Sequence, residues 1–574
     1  MLKLLRYLKP YQMLIVLVLA LIFSQSLSEL YLPTLMADII DKGVVHQDIP
    51  YIWKIGGLML LVAALGTACS IAASYYSAKV SMSFGKDLRH KVFSHIENFT
   101  LQEFDQFGTA SLITRTTNDI TQVQQVVNMI LRMMVTAPIM AIGGIIMAYS
   151  QDAELTKIFL VAVPVLFVVI LLVVWKGIPL FKLVQVRLDQ VNRVLRENLT
   201  GIRVIRSFNR IVYEKNRFQR ANADLTETSI KVNKIMALLM PVLMLIMNYT
   251  VISIIWFGAV RIDDGDMQVG GLMAFIQYAM QIMFSMIMLS MMFVMIPRAS
   301  ASAARIHEVL QMQPTMLETN NPITAQKKGY LEFRNVTFCY PGAEVPALKD
   351  LSFNMKPGET TAIIGGTGSG KSTLLKLIPR FYEVDSGSIL IDEVDIKDMT
   401  LQSLRKKIGL VPQKAVLFTG TVKDNLLFGN ENSSDEELLH AVKTAQAFEF
   451  VSKMEKGLDS VLSQGGTNLS GGQKQRLSIA RALVRKPEIY LFDDSFSALD
   501  YKTDSKLRAA LKQETEQAAL LIVAQRVSTV MYADQIIVLD EGNVAGIGTH
   551  KELMKTCRVY QEIVSSQATE EELA

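Results

Sequence analysis

The apolar run "EIYLF" ends in two adjacent carboxylates, Asp493 and Asp494. Upstream, "TTAIIGGTGSGKSTLLKLI" matches G-x-x-x-x-G-K-[ST] from Gly365 to Ser372. Gly366, Thr367, Gly368, Ser369, Gly370 and Lys371 lie between those ends, and Thr373 follows. Glycines in this order let backbone N–H groups curl around phosphates, while Lys371 reaches the β- and γ-phosphate oxygens and the Ser372 hydroxyl meets Mg²⁺. A carboxylate ending a nearby strand holds the same ion through water, the role open to Asp493. Asp494 then stands where a group that positions attacking water belongs. The chemistry these residues point to is the binding of a nucleoside triphosphate with Mg²⁺. Whether the site also hydrolyses it turns on Asp494, because the second carboxylate of such a pair is usually a glutamate.

A third stretch, "NLSGGQKQRLSIARAL", opens a helix with Leu469, Ser470, Gly471, Gly472 and Gln473. Ser is a favoured N-cap, so one reading is a plain helix cap. Two glycines and a glutamine at a helix start also make a phosphate pincer. The elements that position all three stretches are legible. "YLEFRNVTFCYP" alternates like a strand, the glycine loop follows a strand and opens a helix, and Asp493 ends a buried-strand pattern.

The 574 residues allow several domains, and half of them are hydrophobic at a net charge of +4, which speaks against a nucleic-acid binder. Cys69, Cys339 and Cys557 lie far apart with no ligand-like spacing, and read as reduced. Apolar residues crowd the first half. A bilayer core of about 30 Å needs about 20 apolar helical residues. Stretches near 11–36, 55–76, 131–150, 157–175, 235–260 and 271–297 qualify. Short connectors such as "RIDDGDMQ" are acidic, whereas the long ones near 77–130 and 176–234 carry most of the Lys and Arg. Basic loops stay cytoplasmic, which puts the long connectors, the N-terminus and the soluble half inside. The basic "MLKLLRYLKPYQ" lacks a small-residue cleavage site and reads as a helix leading into the first span. Breaks near 103–120 and 197–211, at Gly108 and Gly201, mark either solvated loops or contacts that pass force to the soluble half. Polar loops this long are seldom structureless, which favours the contacts.

With these residues together, the chain resembles an ATP-binding-cassette exporter half-transporter over nearly its whole length. The resemblance implies a six-helix all-α transmembrane domain fused to an α/β P-loop nucleotide-binding domain. The expected boundaries are 1–300 for the membrane domain, 301–329 for a linker, 330–566 for the nucleotide-binding domain and 567–574 for an acidic tail. It further implies ATP and Mg²⁺ as cofactors, Tyr340 stacking on adenine, and Gln413 linking Mg²⁺ to the membrane domain. Leu469–Gln473 become the family signature, and Ser497, Ala498, Leu499 and Asp500 the loop that crosses a dimer. In this family two such domains pair head to tail, each ATP lying between one P-loop and the other domain's signature.

Two positions depart from the family. Asp494 replaces the catalytic glutamate, and Gln525 in "LLIVAQRVSTV" replaces the histidine that contacts the γ-phosphate. This pattern resembles the degenerate-site subunit of bacterial heterodimeric exporters associated with multidrug efflux, whose partner supplies the working site. A homodimeric lipid flippase or peptide exporter, and a nucleotide-gated channel or sensor, are the alternatives. For the substrate path, polar residues within spans are the candidates: Asn248, Gln277, Gln281 and Ser285. Glu29 is the only charge well inside a span; it either sits near outer headgroups or attracts cationic substrates. The expected setting is the cell membrane, crossed several times.

Overall fold

The structure, a computed structural model, describes residues 2–316, 322–323 and 329–567. The acidic tail therefore lies outside the described residues except for Gln567. Contacts divide the chain into two units: Met1–Glu97 with Gly108–Gln313, and Asn98–Phe107 with Pro314–Ala574.

The first unit is helical. Its long elements are α1 (Gln12–Asp38) and α2 (Ile49–Ile96). After the short α3 (Leu101–Phe107), which belongs to the other unit, come α4 (Thr109–Gln151), a run of α and π turns, and α5 (Ala153–Thr200). The short α6 (Ile202–Ser207), α7 (Ile211–Asp263) and α8 (Val269–Gln311) complete it. Among the described residues six helices are long and apolar enough to cross a membrane, and each contains one of the stretches read from the sequence, the sixth within α8. Asp48 caps α2 by accepting from the Tyr51 N–H, and Asp152 caps α5 by accepting from the Leu155 N–H. Asp152 also pairs with Arg261 at 3.0 Å, tying the start of α5 to the end of α7. Small residues let the helices approach closely, as membrane packing favours. A Cβ on Gly144 of α4 would lie 2.8 Å from Ile282 Cγ1 of α8.

One expected boundary moves. α8 does not give way to a linker at 301 but continues to Gln311. Ala299, Ala303, Ile306 and Val309 are buried along one face, at the spacing of a packed helix. Opposite them stands Asp119 in a π turn of α4 (Arg115–Asp119). It accepts from Ser302 Oγ at 2.9 Å and Arg305 Nε at 2.8 Å, and Arg115 Nη1 donates to the Arg305 carbonyl at 2.8 Å. The stretch 103–120 also divides at Gly108, whose φ of 73° breaks the helix. Residues before it join the second unit, and those after it run straight into α4.

In the second unit, β1 (Leu331–Phe338), β2 (Leu348–Met355), β4 (Ser386–Ile391) and β5 (Val394–Asp395) form an antiparallel sheet in the order β2-β1-β4-β5. β3 (Thr360–Gly365) and β6 (Ile408–Val411) belong to a larger one. A short hairpin pairs β7 (Gly420–Thr421) with β8 (Val461–Leu462). β9 (Ile489–Asp493), β10 (Ala519–Val523), β11 (Gln535–Asp540) and β12 (Asn543–Gly548) complete the six-stranded sheet, β12-β11-β3-β10-β9-β6. It is parallel except for β12. Its parallel strands are buried on both faces, as parallel sheets require. Ala362, Ile364, Phe492, Ile522 and Val538 enter one core. Their neighbours Ile363, Leu491, Leu521 and Ile537 enter the other.

α3 is held in this unit by Glu103. The buried carboxylate accepts from the N–H and hydroxyl of Thr100 at 2.7 and 2.5 Å, and from those of Thr315 at 3.1 and 2.7 Å. Burial alone would raise its pKa, but the four hydrogen bonds bring it below the ordinary value. A depressed carboxyl stabilises the fold above its unfolded pKa, and that contribution disappears as pH falls through the folded value. Acidification from neutral pH to well below about pH 4, past the range where glutamate ordinarily protonates, should therefore expose 98–107 to proteolysis. The variant Glu103→Ala should be exposed already at neutral pH. Unchanged cleavage in both cases would refute the clamp.

Candidate nucleotide-binding site

β3 delivers the chain to Gly365, the loop follows, and α9 (Lys371–Leu377) begins at once. The turn depends on Gly370, at φ 96°, where a Cβ would also come within 2.8 Å of the Ala347 carbonyl. Lys371 is buried and donates to the Gly365 and Gly366 carbonyls at 2.8 and 2.6 Å, with Ser369 Oγ at 3.4 Å. Burial pushes its pKa below the usual lysine value, while Asp494 and Asp493 oppose that shift. The amine is thus held in the loop at low hydration, and a phosphate arriving there would strengthen its charge.

β9 lies two strands from β3, across β10, and carries Asp493 to the same sheet edge. Ser372 Oγ donates to Asp493 Oδ1 at 3.2 Å. Burial raises the Asp493 carboxyl, and neighbouring Asp494 adds to this against the serine hydrogen bond. A hydroxyl and a carboxylate side by side are hard oxygen donors that fit Mg²⁺. Among the described residues no three His, Cys, Asp or Glu side chains gather as a self-sufficient metal site. Mg²⁺ does not require one, because it takes one or two carboxylates together with substrate phosphates.

Asp494 follows on the same edge, with its backbone fixed. Its N–H donates to the Val523 carbonyl at 2.8 Å, its carbonyl accepts from Ser497 Oγ at 2.8 Å, and φ is 45°. Its Oδ2 accepts from Gln413 Nε2 at 3.3 Å, so Gln413 and the two carboxylates share one neighbourhood. Gln525 lies just past the end of β10, exposed, its carbonyl accepting from Gln567 Nε2 at 2.7 Å.

Tyr340 follows β1, and its hydroxyl is 3.1 Å from Thr373 Oγ1 on α9. Its ring packs edge-on against Tyr382, centroids 5.4 Å apart. The sequence reading missed Tyr382. Its hydroxyl donates to Asp105 Oδ2 of α3 at 2.7 Å, and burial together with that carboxylate keeps the phenol well above its ordinary pKa. An aromatic next to "RFYEVD" offered a weak signal; Asp105, 277 positions away, offered none.

The signature stretch forms a capping box at the start of α10 (Gly471–Val484). Ser470 Oγ accepts from the Gln473 N–H, and Gln473 Oε1 accepts from the Ser470 N–H at 2.9 Å. A Cβ on Gly472 would lie 3.0 Å from the Ala498 carbonyl, so the 497–500 loop packs on the signature of its own chain. Leu499 lies partly buried against that core, and Asp500 caps α11 (Tyr501–Glu514) by accepting from the Thr503 N–H at 2.9 Å. Leu469, Leu477 and Ile479 pack with one face of the large sheet, whereas Leu374, Leu375 and Leu377 of α9 pack on the opposite face. The sheet therefore separates the core of the signature helix from that of the phosphate-loop helix.

The substrate-path candidates are scattered. Ser285 is buried and donates to the Ile282 carbonyl one turn back on α8. Gln281 Nε2 donates to the Glu29 carbonyl at 3.2 Å, and Glu29 Oε1 accepts from Gln25 Nε2 at 2.9 Å. Asn248 and Gln277 are exposed on α7 and α8.

Family models of the ABC transporter transmembrane region and of the ABC transporter match residues 14–286 and 348–497. An uncharacterized ABC transporter ATP-binding protein of Mycobacterium tuberculosis (strain CDC 1551 / Oshkosh) is 43% identical over 98% of this chain and 97% of its own length. The ATP-dependent lipid A-core flippase of Pseudomonas fluorescens (strain Pf0-1) is 32% identical, over 90% of this chain and 86% of its own. A solved bacterial Atm1-family ABC exporter with ATP bound superposes with a TM-score of 0.80 at 25% identity, covering 99% of each chain. The chain belongs to the ABC transporter family, as an exporter half-transporter that joins six membrane helices to one ATP-binding domain.

Proposed function

We propose that this chain is one subunit of a heterodimeric exporter that moves hydrophobic or amphipathic small molecules, as in multidrug efflux, across the cell membrane by ATP-driven alternating access. Its own ATP site hydrolyses weakly. The observation that carries this reading is the pinned backbone of Asp494, bonded at its N–H to Val523 and at its carbonyl to Ser497. A shorter side chain on a backbone that is free to move could still reach its water; here it falls about one C–C bond short. Gln525 adds no titratable proton.

The separation of the two helix cores by the sheet supports pairing with a second half-transporter. A signature on one face and a phosphate loop belonging to the other serve different nucleotides, each site being completed by the partner. In this chain Tyr340 would stack on adenine, the glycine loop and Lys371 would bind the phosphates, and Ser372, Asp493 and Gln413 would hold Mg²⁺. The bound ion supplies charge neutralisation at the phosphates. Closing of the paired domains would pass through α3 and the 197–211 turn to the spans. The basic connectors support a cytoplasmic N-terminus and nucleotide-binding domain. Lipid flipping is the second reading, favoured by the similarity to the lipid A-core flippase.

The test is ATP turnover and oligomeric state of the chain purified alone in lipid. Negligible turnover is expected. Brisk turnover from a homodimer would discard the two-subunit reading.

A further inference from the structure

The first unit holds a cavity of about 370 Å³ whose wall is built from four of the long helices. Gln25 of α1, Ser70 of α2, Asn128 and Arg132 of α4, and Met288 of α8 line it, with Met133 beside the arginine. Arg132 stands in a π turn, Ile130–Met134, a local distortion that in helices often accompanies a functional position. The sequence reading passed over it because it falls at the cytoplasmic end of the third apolar stretch, where an arginine reads as an ordinary flank.

The charge inventory around it is lopsided. Among the described residues no carboxylate pairs with the Arg132 guanidinium. Glu29, one turn beyond Gln25 on α1, accepts from Gln25. Asn128 Oδ1 is occupied by the Ser77 hydroxyl at 2.8 Å, which leaves its amide N–H groups for another acceptor. The cavity therefore offers one full positive charge and amide donors, with thioethers alongside. A cation within apolar helices is costly unless something pairs with it. Arg132 is exposed in the isolated chain and could extend to lipid headgroups, but it also lines the cavity that four helices share.

Its depth also bears on the ligand. At 1.5 Å per residue, Gln25, Ser70, Arg132 and Met288 each stand about 28–32 Å from the end of its helix at the short connectors, the first helix being counted on through its π turn Ile39–Val44. The hydrocarbon core is about 30 Å thick. The four residues thus share one level, toward the long connectors, where an amphipath can place its head while its tail lies among apolar side chains.

We propose that this cavity is a binding site for amphipathic anions, whose phosphate or carboxylate head is gripped by Arg132 while its tail lies against Met133 and Met288. Guanidinium suits such heads because it donates two parallel hydrogen bonds to them. The inference deepens the export reading by naming a substrate class, and it rests on that reading for the direction of transport alone.

The test uses the full chain in phosphatidylcholine nanodiscs, titrated with fluorescent dodecyl phosphate and with a dodecyltrimethylammonium analogue of the same length. Wild type should bind the anion at least about tenfold tighter, the scale of one charge-assisted contact. Arg132→Lys should keep the preference, Arg132→Gln should remove it, and Arg132→Glu should reverse it toward the cation. Reversal by a soluble, ATP-binding variant cannot come from misfolding. Equal binding of anion and cation to wild type would overturn the proposal, as would an unchanged preference in the Gln and Glu variants. Inorganic phosphate should fail to compete; equal competition would mean that the tail is not recognised, and would overturn the amphipath assignment. Nucleotide binding measured on the same discs keeps the two readings apart, since its absence would remove the ATP-driven mechanism and leave the charge preference standing.

Discussion

Asp494→Glu combined with Gln525→His should raise ATP turnover at this site by about 10²- to 10⁴-fold, the usual contribution of a correctly positioned acid–base group. The reason is geometric. Asp494 cannot advance, because its N–H is bonded to Val523 and its carbonyl to Ser497. A glutamate on the same backbone carries its carboxylate one methylene further from that fixed point, on the edge shared with Asp493 and Gln413. Gln525 is exposed on a loop whose carbonyl is held by Gln567, so a histidine there meets no packed neighbour. Turnover must be measured in the assembled complex with the other site inactivated, so that the gain is assigned to one site. If the double variant is no faster than wild type there, the defect lies outside these two positions.

Asp119→Ala should destabilise the junction between α4 and the end of α8 by about 2–3 kcal/mol. Breaking a fully buried ion pair costs about 3–5 kcal/mol, but the Arg305 side chain is 47% exposed, and water recovers part of the loss. What remains is a buried Ser302 hydroxyl without its acceptor and a guanidinium without its carboxylate. Native-state hydrogen exchange of residues 299–311 is the readout. Opening there should become about 30- to 150-fold more frequent, since 1.4 kcal/mol corresponds to a factor of ten. Asp119→Asn, which keeps an acceptor, should lose less. Exchange unchanged in the alanine variant would mean that burial of Ala299, Ala303, Ile306 and Val309 holds the helix end unaided.

The phosphate loop and the strands around it could be read from the sequence because each is specified within one short window. "TTAIIGG" alternates between two cores, and the glycines that follow it have no other use. The six spans were equally plain, since length and apolarity are local properties. The end of α8 was not. In "RASASAARIHEVLQ" small and charged residues lower the hydropathy, and a window tuned to the bilayer stops there. The helical period still runs through Ala299, Ala303, Ile306 and Val309, but it buries them against protein and not lipid. Arg132 was obscured by the same window, which counted it as a flank. The pairings of Tyr382 with Asp105 and of Glu103 with Thr315 had no local signature at all. They depend on where a distant segment docks, and neither member of either pair is unusual where it stands.

That docking has a consequence for how the molecule is made. Asn98–Phe107 is synthesised long before the strands it joins, so during translation it waits without the sheet that will receive it. The ATP-binding unit is correspondingly incomplete as a continuous stretch of chain. A fragment begun at Pro314 would expose the Tyr382 hydroxyl where Asp105 belongs, deprive Thr315 of the Glu103 carboxylate and uncover the apolar seat of Leu101. The order of biosynthesis thereby bears on the fold: the ATP-binding unit finishes folding around a segment, Asn98–Phe107, that was made before any of its strands.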